Sequence, residues 1–194
     1  MDKFSYSIGL GIGQNLLSMG ANNINVEDFA QAIKDVIEGN PTAIPDKEAR
    51  AIVNKFFTEK EEKMNAENMA KEKAFFMENK EKANVVTLAS GLQYEVITEG
   101  NGKKPGPTDR VRCHYEGTLL DGTIFDSSIK RGTPAVFGVN QVIKGWVEAL
   151  QLMSEGAKWR LYIPSALAYG AQGAGDMIPP YSALIFEVEL ISIL

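Results

Sequence analysis

Residues 111–128 read VRCHYEGTLLDGTIFDSS, and their periodicity sets the class of the fold. Val111, Cys113 and Tyr115 alternate with Arg112 and His114, so on a strand the first three face a core and the other two face outward. Leu120, Asp121 and Gly122 then supply a turn, after which Ile124 and Phe125 again ask for burial. Asp126 follows directly, a carboxylate beside an aromatic ring with no obvious acid–base partner.

Alternation of the same kind recurs on both sides. In GLQYEVITEG, Leu92, Tyr94 and Val96 share a face; KWRLYIP alternates Trp159, Leu161 and Ile163; ALIFEVELISIL sets Leu184, Phe186, Val188 and Leu190 against Glu187 and Glu189. Turn signals at GNGKKPGP, LDG and GAGDMIPP separate these runs, and only GWVEALQLM looks helical among them. Residues 85–194 therefore predict one antiparallel sheet with polar outer positions over one short helix, an α+β domain.

The first 84 residues read as helix. In NVEDFAQAIKDVIEGNP, Val26, Phe29, Ala30, Ile33 and Ile37 form one helical stripe, Asn25 is a good N-cap, and Gly39, Asn40 and Pro41 stop the helix. Tyr6, Ile8, Ile12, Leu16 and Leu17 predict a shorter helix before it. There Gly9, Gly11 and Gly13 each cost about 1 kcal/mol relative to alanine, and Gly9 and Gly13 share a face that a second helix can approach closely. Pro45 to about Asn84 has no further Gly or Pro and predicts a single helix of roughly 60 Å at about 1.5 Å per residue. Its start carries Ala49, Ile52, Val53, Phe56 and Phe57 on a stripe, whereas TEKEEKMNAENMAKEK is polar almost all round and reads as a solvated spacer. The expected organisation is a helical region over 1–44, a connecting helix over 45–84 and the α+β domain over 85–194. So few helices leave their stripes partly exposed, which predicts a homodimer through residues 1–57; the competing reading folds the helices back on the C-terminal domain.

Composition narrows the function. With 20 basic against 25 acidic residues, and neither half of the chain basic, a nucleic-acid surface is not expected. One cysteine, Cys113, and one histidine, His114, argue against a disulfide and a zinc site. MDKFSYSIGLGIGQ is too interrupted for a signal peptide and no apolar run approaches the roughly 18 residues of a membrane span, so a cytoplasmic location and no membrane partner are expected. A leader already removed would leave the same sequence and make the location periplasmic.

Catalytic signatures are missing. Neighbours on a strand point to opposite faces, so Cys113 and His114 form no nucleophile pair; Cys113 reads as a small core residue and His114 as a solvated one. GLGIGQ fails the dinucleotide pattern, and neither a nucleophile elbow nor a phosphate loop occurs. What stands out is a supply of Tyr115, Phe125, Val142, Ile143, Trp146, Tyr169, Ile178 and Phe186 in loop contexts. Each alone is ordinary core, but VIKGW sets Gly145 and Trp146 at a loop-to-helix junction where a large ring can floor an apolar cavity.

VRCHYEGTLLDGTIFDSS, followed by NQVIKGWVEALQLMSEGAKWRLYIPSALAYGAQGAGDMIPPYSALIFEVEL, resembles the FKBP-type peptidyl-prolyl cis-trans isomerases over essentially all of residues 88–194. The helical leader is similar to that of the dimeric bacterial Mip-like group, in its cytoplasmic branch. The resemblance implies a twisted antiparallel sheet wrapped around a short helix, and a proline pocket between them that needs no cofactor and no metal. It makes Trp146 the floor, Tyr115, Phe125 and Phe186 the walls, and Val142, Ile143 and Ile178 the rim. It assigns carbonyl binding to the Ile143 N–H and the Tyr169 hydroxyl, and pairs the pocket carboxylate Asp126 with Arg131. The substrates implied are proline-containing unfolded or partly folded polypeptides, with macrolide inhibitors as candidate ligands of the same pocket. Ala135, Ala174 and Met177 depart from the better-known eukaryotic pattern, at positions bearing on macrolide affinity and on the residue preferred before proline. The expected activity is prolyl isomerisation in folding chains; the alternative is a holdase-type chaperone whose pocket has little isomerase activity.

Overall fold

Three helices open the chain in the computed structural model, which describes all 194 residues: α1 (Lys3–Ser18), α2 (Val26–Glu38) and α3 (Asp46–Asn79). The expected caps hold α2. The Asn25 side chain accepts from the N–H groups of Glu27 and Asp28, and Gly39 closes the helix at φ +71°, the left-handed conformation glycine adopts without a Cβ clash. After them come β1 (Val85–Thr87), β2 (Gln93–Thr98), β3 (Arg110–Leu119), β4 (Ile124–Ser127), β5 (Ala135–Gly138), α4 (Lys144–Leu152), β6 (Lys158–Ile163) and β7 (Leu184–Ile193). The chain forms two compact units, Met1–Phe57 and Thr58–Leu194, and their boundary falls inside α3.

The first unit has amphipathic helices but no buried residue. Many apolar positions of its stripes stay open: Val26 is 73% exposed, Ile37 78% and Ile52 55%, while Phe29 and Phe57 are only half-buried. A Cβ added at Gly9, Gly11 or Gly13 would meet nothing within 4 Å, so no neighbour within the chain requires those glycines.

The second unit is an antiparallel sheet in the order β1-β2-β6-β7-β3-β4, with β5 also paired to β3. Its inner face carries the expected residues: Val111, Cys113, Tyr115, Trp159, Leu161, Ile163, Leu184, Phe186, Val188 and Leu190 are all buried. α4 closes against that face through Trp146, Ala149 and Leu150. Gly145 lets it approach, since a Cβ there would lie 2.5 Å from Cγ2 of Ile163. The Cys113 thiol is pushed up to about 12 by burial and behaves as a core hydrophobe.

Three differences from the sequence reading have physical causes. Short β1, β4 and β5 were not expected, because strands of three or four residues offer too few positions to display a period of two. His114 is half-buried rather than solvated, its Nδ1 lying 3.0 Å from Ser128 Oγ, because the turn after β4 folds over it. The polar stretch of α3 is no free spacer. From Thr58 onward α3 belongs to the sheet unit, where the Phe75 ring packs tilted at 5.7 Å against Tyr162 and helps to bury this residue on the outer face of β6. Asn79 is buried and donates to Gln93 Oε1 at 2.9 Å, while Gln93 Nε2 donates to the Phe76 carbonyl at 3.0 Å. The face that carries Asn68, Glu72, Phe75 and Asn79 looks largely polar in sequence, yet its three polar residues dock through hydrogen bonds.

Candidate active site

The pocket begins at the centre of the sheet. In β3, Tyr115 lies opposite Val188 of β7; two residues on, Gly117 lies between Phe186 of β7 and Asp126 of β4. A Cβ at Gly117 would sit 2.6 Å from atoms of both the Phe125 and the Phe186 rings. The absent side chain is therefore what allows those two rings to meet edge to face at 5.5 Å and 84°.

Trp146, in the first turn of α4, is 3% exposed and forms the base of this arrangement. Tyr115, Phe137 and Phe186 meet its ring edge-on at centroid distances of 5.3, 5.6 and 5.3 Å. Packed this way, four rings fix one another without stacking flat and leave an open cavity above them. That cavity, of about 490 Å³, is lined by Tyr115, Phe125, Asp126, Phe137, Gln141, Val142, Ile143, Trp146, Tyr169 and Phe186. Ile143 caps the N-terminus of α4 with its carbonyl, which accepts from Trp146 and Val147, and no side chain caps that helix end. Tyr169 stands in the loop between β6 and β7 and is 40% exposed.

Asp126 has its partners after all. The Tyr115 hydroxyl donates to its Oδ2 at 2.5 Å, Arg131 Nη1 donates to its Oδ1, and Arg131 Nη2 donates to the Tyr115 hydroxyl oxygen at 2.8 Å. The guanidinium also lies 5.6 Å from the centre of the Tyr115 ring. Burial raises the Asp126 pKa, but the hydrogen bonds from Tyr115 and Arg131 and the charge of Arg131 outweigh it, so the carboxyl lies below its ordinary range. Burial and the bond to Asp126 hold the Tyr115 hydroxyl above its own ordinary value, against the opposing pull of Arg131. At neutral pH the triangle is an ionised carboxylate, a neutral phenol and a guanidinium, each fixed by the other two.

Of the ten residues singled out from sequence, eight line the cavity, and Arg131 touches two of them. Ile178 does not line it. This residue is buried in the core, with its backbone paired to Ala174 through two hydrogen bonds. The sequence reading missed Phe137 and Gln141. Phe137 lies on β5 opposite Val111, and its signal was the alternation in AVFG, too short to be read.

Comparison with known proteins matches the geometry. A family model described as "FKBP-type peptidyl-prolyl cis-trans isomerase" matches residues 101–191, and another described as the "domain amino terminal to FKBP-type peptidyl-prolyl isomerase" matches residues 1–96. The chain is 47% identical over 197 aligned positions to the FKBP-type 22 kDa peptidyl-prolyl cis-trans isomerase of Escherichia coli K12, covering 98% of this chain and 94% of that protein. It is 43% identical to the outer membrane protein MIP of Legionella longbeachae, covering 99% of this chain and 85% of that one. Among solved structures, FkpA from Escherichia coli superposes with a TM-score of 0.81 at 32% identity, covering 98% of this chain and 95% of that one.

Proposed function

The chain belongs to the FKBP-type peptidyl-prolyl cis-trans isomerases and accelerates rotation about X-Pro bonds, and from that premise we propose which of its groups act on the substrate. The observation that carries the assignment is the Tyr115–Asp126–Arg131 triangle set against the edge-on rings around Trp146. The proline ring enters over Trp146, between Phe125, Tyr115 and Phe186, with Val142 and Ile143 at the rim. The Ile143 N–H and the Tyr169 hydroxyl hold carbonyl groups of the substrate. Ile178 keeps a rim role only through the loop it braces, and Arg131 acts through Asp126 and Tyr115.

Nothing covalent has to happen. Rotation about an X-Pro bond crosses a barrier of about 18–20 kcal/mol and takes roughly 10–100 s unaided. Planarity rests on resonance that places negative charge on the carbonyl oxygen, and twisting removes it. A pocket poor in water solvates the planar, polar form less well than the twisted one. Each 1.36 kcal/mol removed from the barrier is worth tenfold, so about 5 kcal/mol brings seconds to milliseconds. Rigid rings shaped to a twisted proline, with a few fixed donors, act on the transition state more than on the ground state. Asp126 serves as a fixed acceptor that orients Tyr115 and transfers no proton.

Residues 1–57 associate with a second copy, supported by the lack of any buried residue there and by the groove along Tyr6, Gly9, Leu10, Gly13 and Leu17 of α1. Residues 1–44 are then the dimerisation region, 45–84 the connecting helix, whose start up to residue 57 shares in the dimer contact, and 85–194 the isomerase. Two pockets joined in one dimer raise effective concentration along a single unfolded client, which adds a chaperone role. A cytoplasmic location belongs to the same proposal; no helix is long and apolar enough to cross a membrane, and cell fractionation tests the choice against the periplasm.

The deciding experiment pairs a protease-coupled assay on a short proline peptide with refolding of a proline-limited protein. Acceleration of both is expected. Suppressed client aggregation without peptide isomerisation would favour the holdase reading.

A further inference from the structure

The loop between β6 and β7 brings Tyr169 to the pocket and closes on itself, and both of its ends are held by α3. Near its start, the Ser165 N–H donates to Glu72 Oε2 at 2.9 Å. Near its end, Asn68 Nδ2 donates to the Pro180 carbonyl at 2.9 Å. Asn68 and Glu72 are one turn apart on a single face of α3, so one rigid helix spans the two ends of the loop.

Between those anchors the loop is knit together. Ala168 N–H donates to the Ser165 carbonyl, Ala174 and Ile178 exchange both backbone bonds, and Tyr181 N–H donates to the Gly170 carbonyl at 2.8 Å. Its turns are tight: at Gly173, φ is +62° and a Cβ would lie 2.2 Å from the Ile178 oxygen. Tyr181 is the one non-glycine residue of the chain with a positive φ, +54°. A bulky residue holds that conformation only where its surroundings over-determine it. Here the Asn68 bond fixes the carbonyl immediately before it and the Gly170 bond fixes its own N–H. Beside Asn68 and Tyr181 lies a cavity of about 150 Å³, which gives the loop room to shift if the anchor is removed.

We infer that Asn68 and Glu72 are positioning residues: as a two-point clamp on α3, they set the loop that carries Tyr169 and thereby tune turnover and the preference for the residue before proline. The inference rests on the isomerase reading and extends it to a helix that touches none of the pocket.

The test uses the full chain with Asn68→Ala, Glu72→Ala, the double variant and Glu72→Gln, on a set of short peptides differing only in the residue before proline. Because misplacing a substrate-holding group by a fraction of an ångström weakens catalysis steeply, the double variant should lose about fivefold to tenfold in kcat/KM. Its preference among preceding residues should flatten by about threefold, and amide exchange should rise across residues 165–181 and not across β3 or α4. Glu72→Gln, which still offers an oxygen to Ser165, should stay within about twofold of the parent. Unchanged kcat/KM and preference in the double variant would overturn the clamp. So would a uniform loss on every peptide with Glu72→Gln as impaired as Glu72→Ala, the pattern of a merely structural contact. Failure of the unaltered chain to isomerise any of the peptides would instead strike the isomerase reading itself.

Discussion

Residues 1–57 and residues 58–194 solve the same problem in opposite ways. The sheet unit buries Leu92, Leu150, Met153, Leu161 and their neighbours completely, each contributing about 1.5–3 kcal/mol of transfer free energy, and so holds its rings in place within one chain. The helical unit has the right periodicity and caps but buries no residue fully, and helices of 13 and 16 residues are marginal on propensity alone. Periodicity therefore specifies local structure in both regions, whereas a closed core exists in only one of them. The proposed second copy supplies the other.

The largest expected effect breaks that contrast. Ile52→Asp combined with Ile37→Asp puts charges on the open stripes, where a dimer would have to bury them. At about 3 kcal/mol for each uncompensated buried charge, even one such site per protomer weakens association about ten-thousandfold across the two copies. Sedimentation at micromolar concentration should then give a monomer whose sheet unit still melts cooperatively and still turns over short peptides. A species that stays dimeric would move the interface elsewhere. Truncation sharpens the boundary. Removing residues 1–57 should spare peptide turnover while slowing refolding of whole proteins, whereas removing 1–84 also deletes the Asn68 and Glu72 clamp and should reduce both.

Within the sheet unit, Asp126→Leu should lower kcat/KM about ten- to a hundredfold, equivalent to roughly 1.4–2.7 kcal/mol. The variant leaves the Tyr115 hydroxyl without its acceptor while Arg131 still donates to it, so the phenol turns but stays in the pocket. Complete loss with the fold intact would mean that the carboxylate takes a direct part in the reaction.

Gly117→Ala probes the rings without touching a polar group. Its Cβ at 2.6 Å from both Phe125 and Phe186 forces one of them aside, and overpacking of this kind costs about 1–3 kcal/mol of stability. Peptide turnover should fall about tenfold, with near-ultraviolet circular dichroism changed and far-ultraviolet unchanged. Parent-like turnover would show that the two rings do not need their present angle.

What could be read in advance follows the same division. Strand alternation places Tyr115 inward and the loop-to-helix junction marks Gly145–Trp146, so the pocket floor is legible in local pattern, whereas the role of Tyr115 as a wall comes from the family resemblance. Asp126 was not interpretable alone, because its partners Tyr115 and Arg131 lie 11 and 5 residues away and meet only once β3 and β4 pair. Phe137 was hidden by the brevity of β5. The docking face of α3 is not legible in sequence because Asn68, Glu72 and Asn79 seek backbone and amide partners; a hydropathy pattern records apolar burial and is blind to hydrogen-bonded burial.

The smallest expected effect is a flat one. Asp126 is depressed below its ordinary range in the folded chain, so the stabilisation it gives is present above the unfolded carboxyl value, about 3.9, and is lost as pH falls through the lower folded value. Tyr115 is raised, so its contribution is complete below the unfolded phenol value, about 10, and is lost only as pH climbs toward the higher folded one. Between those limits the triangle keeps one protonation state. The rate constant for peptide isomerisation should therefore vary less than about twofold from pH 5 to 9, because general acid–base catalysis alone would impose a bell or a slope there. A protease-free readout, such as two-dimensional exchange NMR on a proline peptide, keeps the coupled protease's own pH dependence out of the measurement. A titration with a midpoint near neutrality would assign proton transfer to this site and overturn the view of Asp126 as a fixed acceptor.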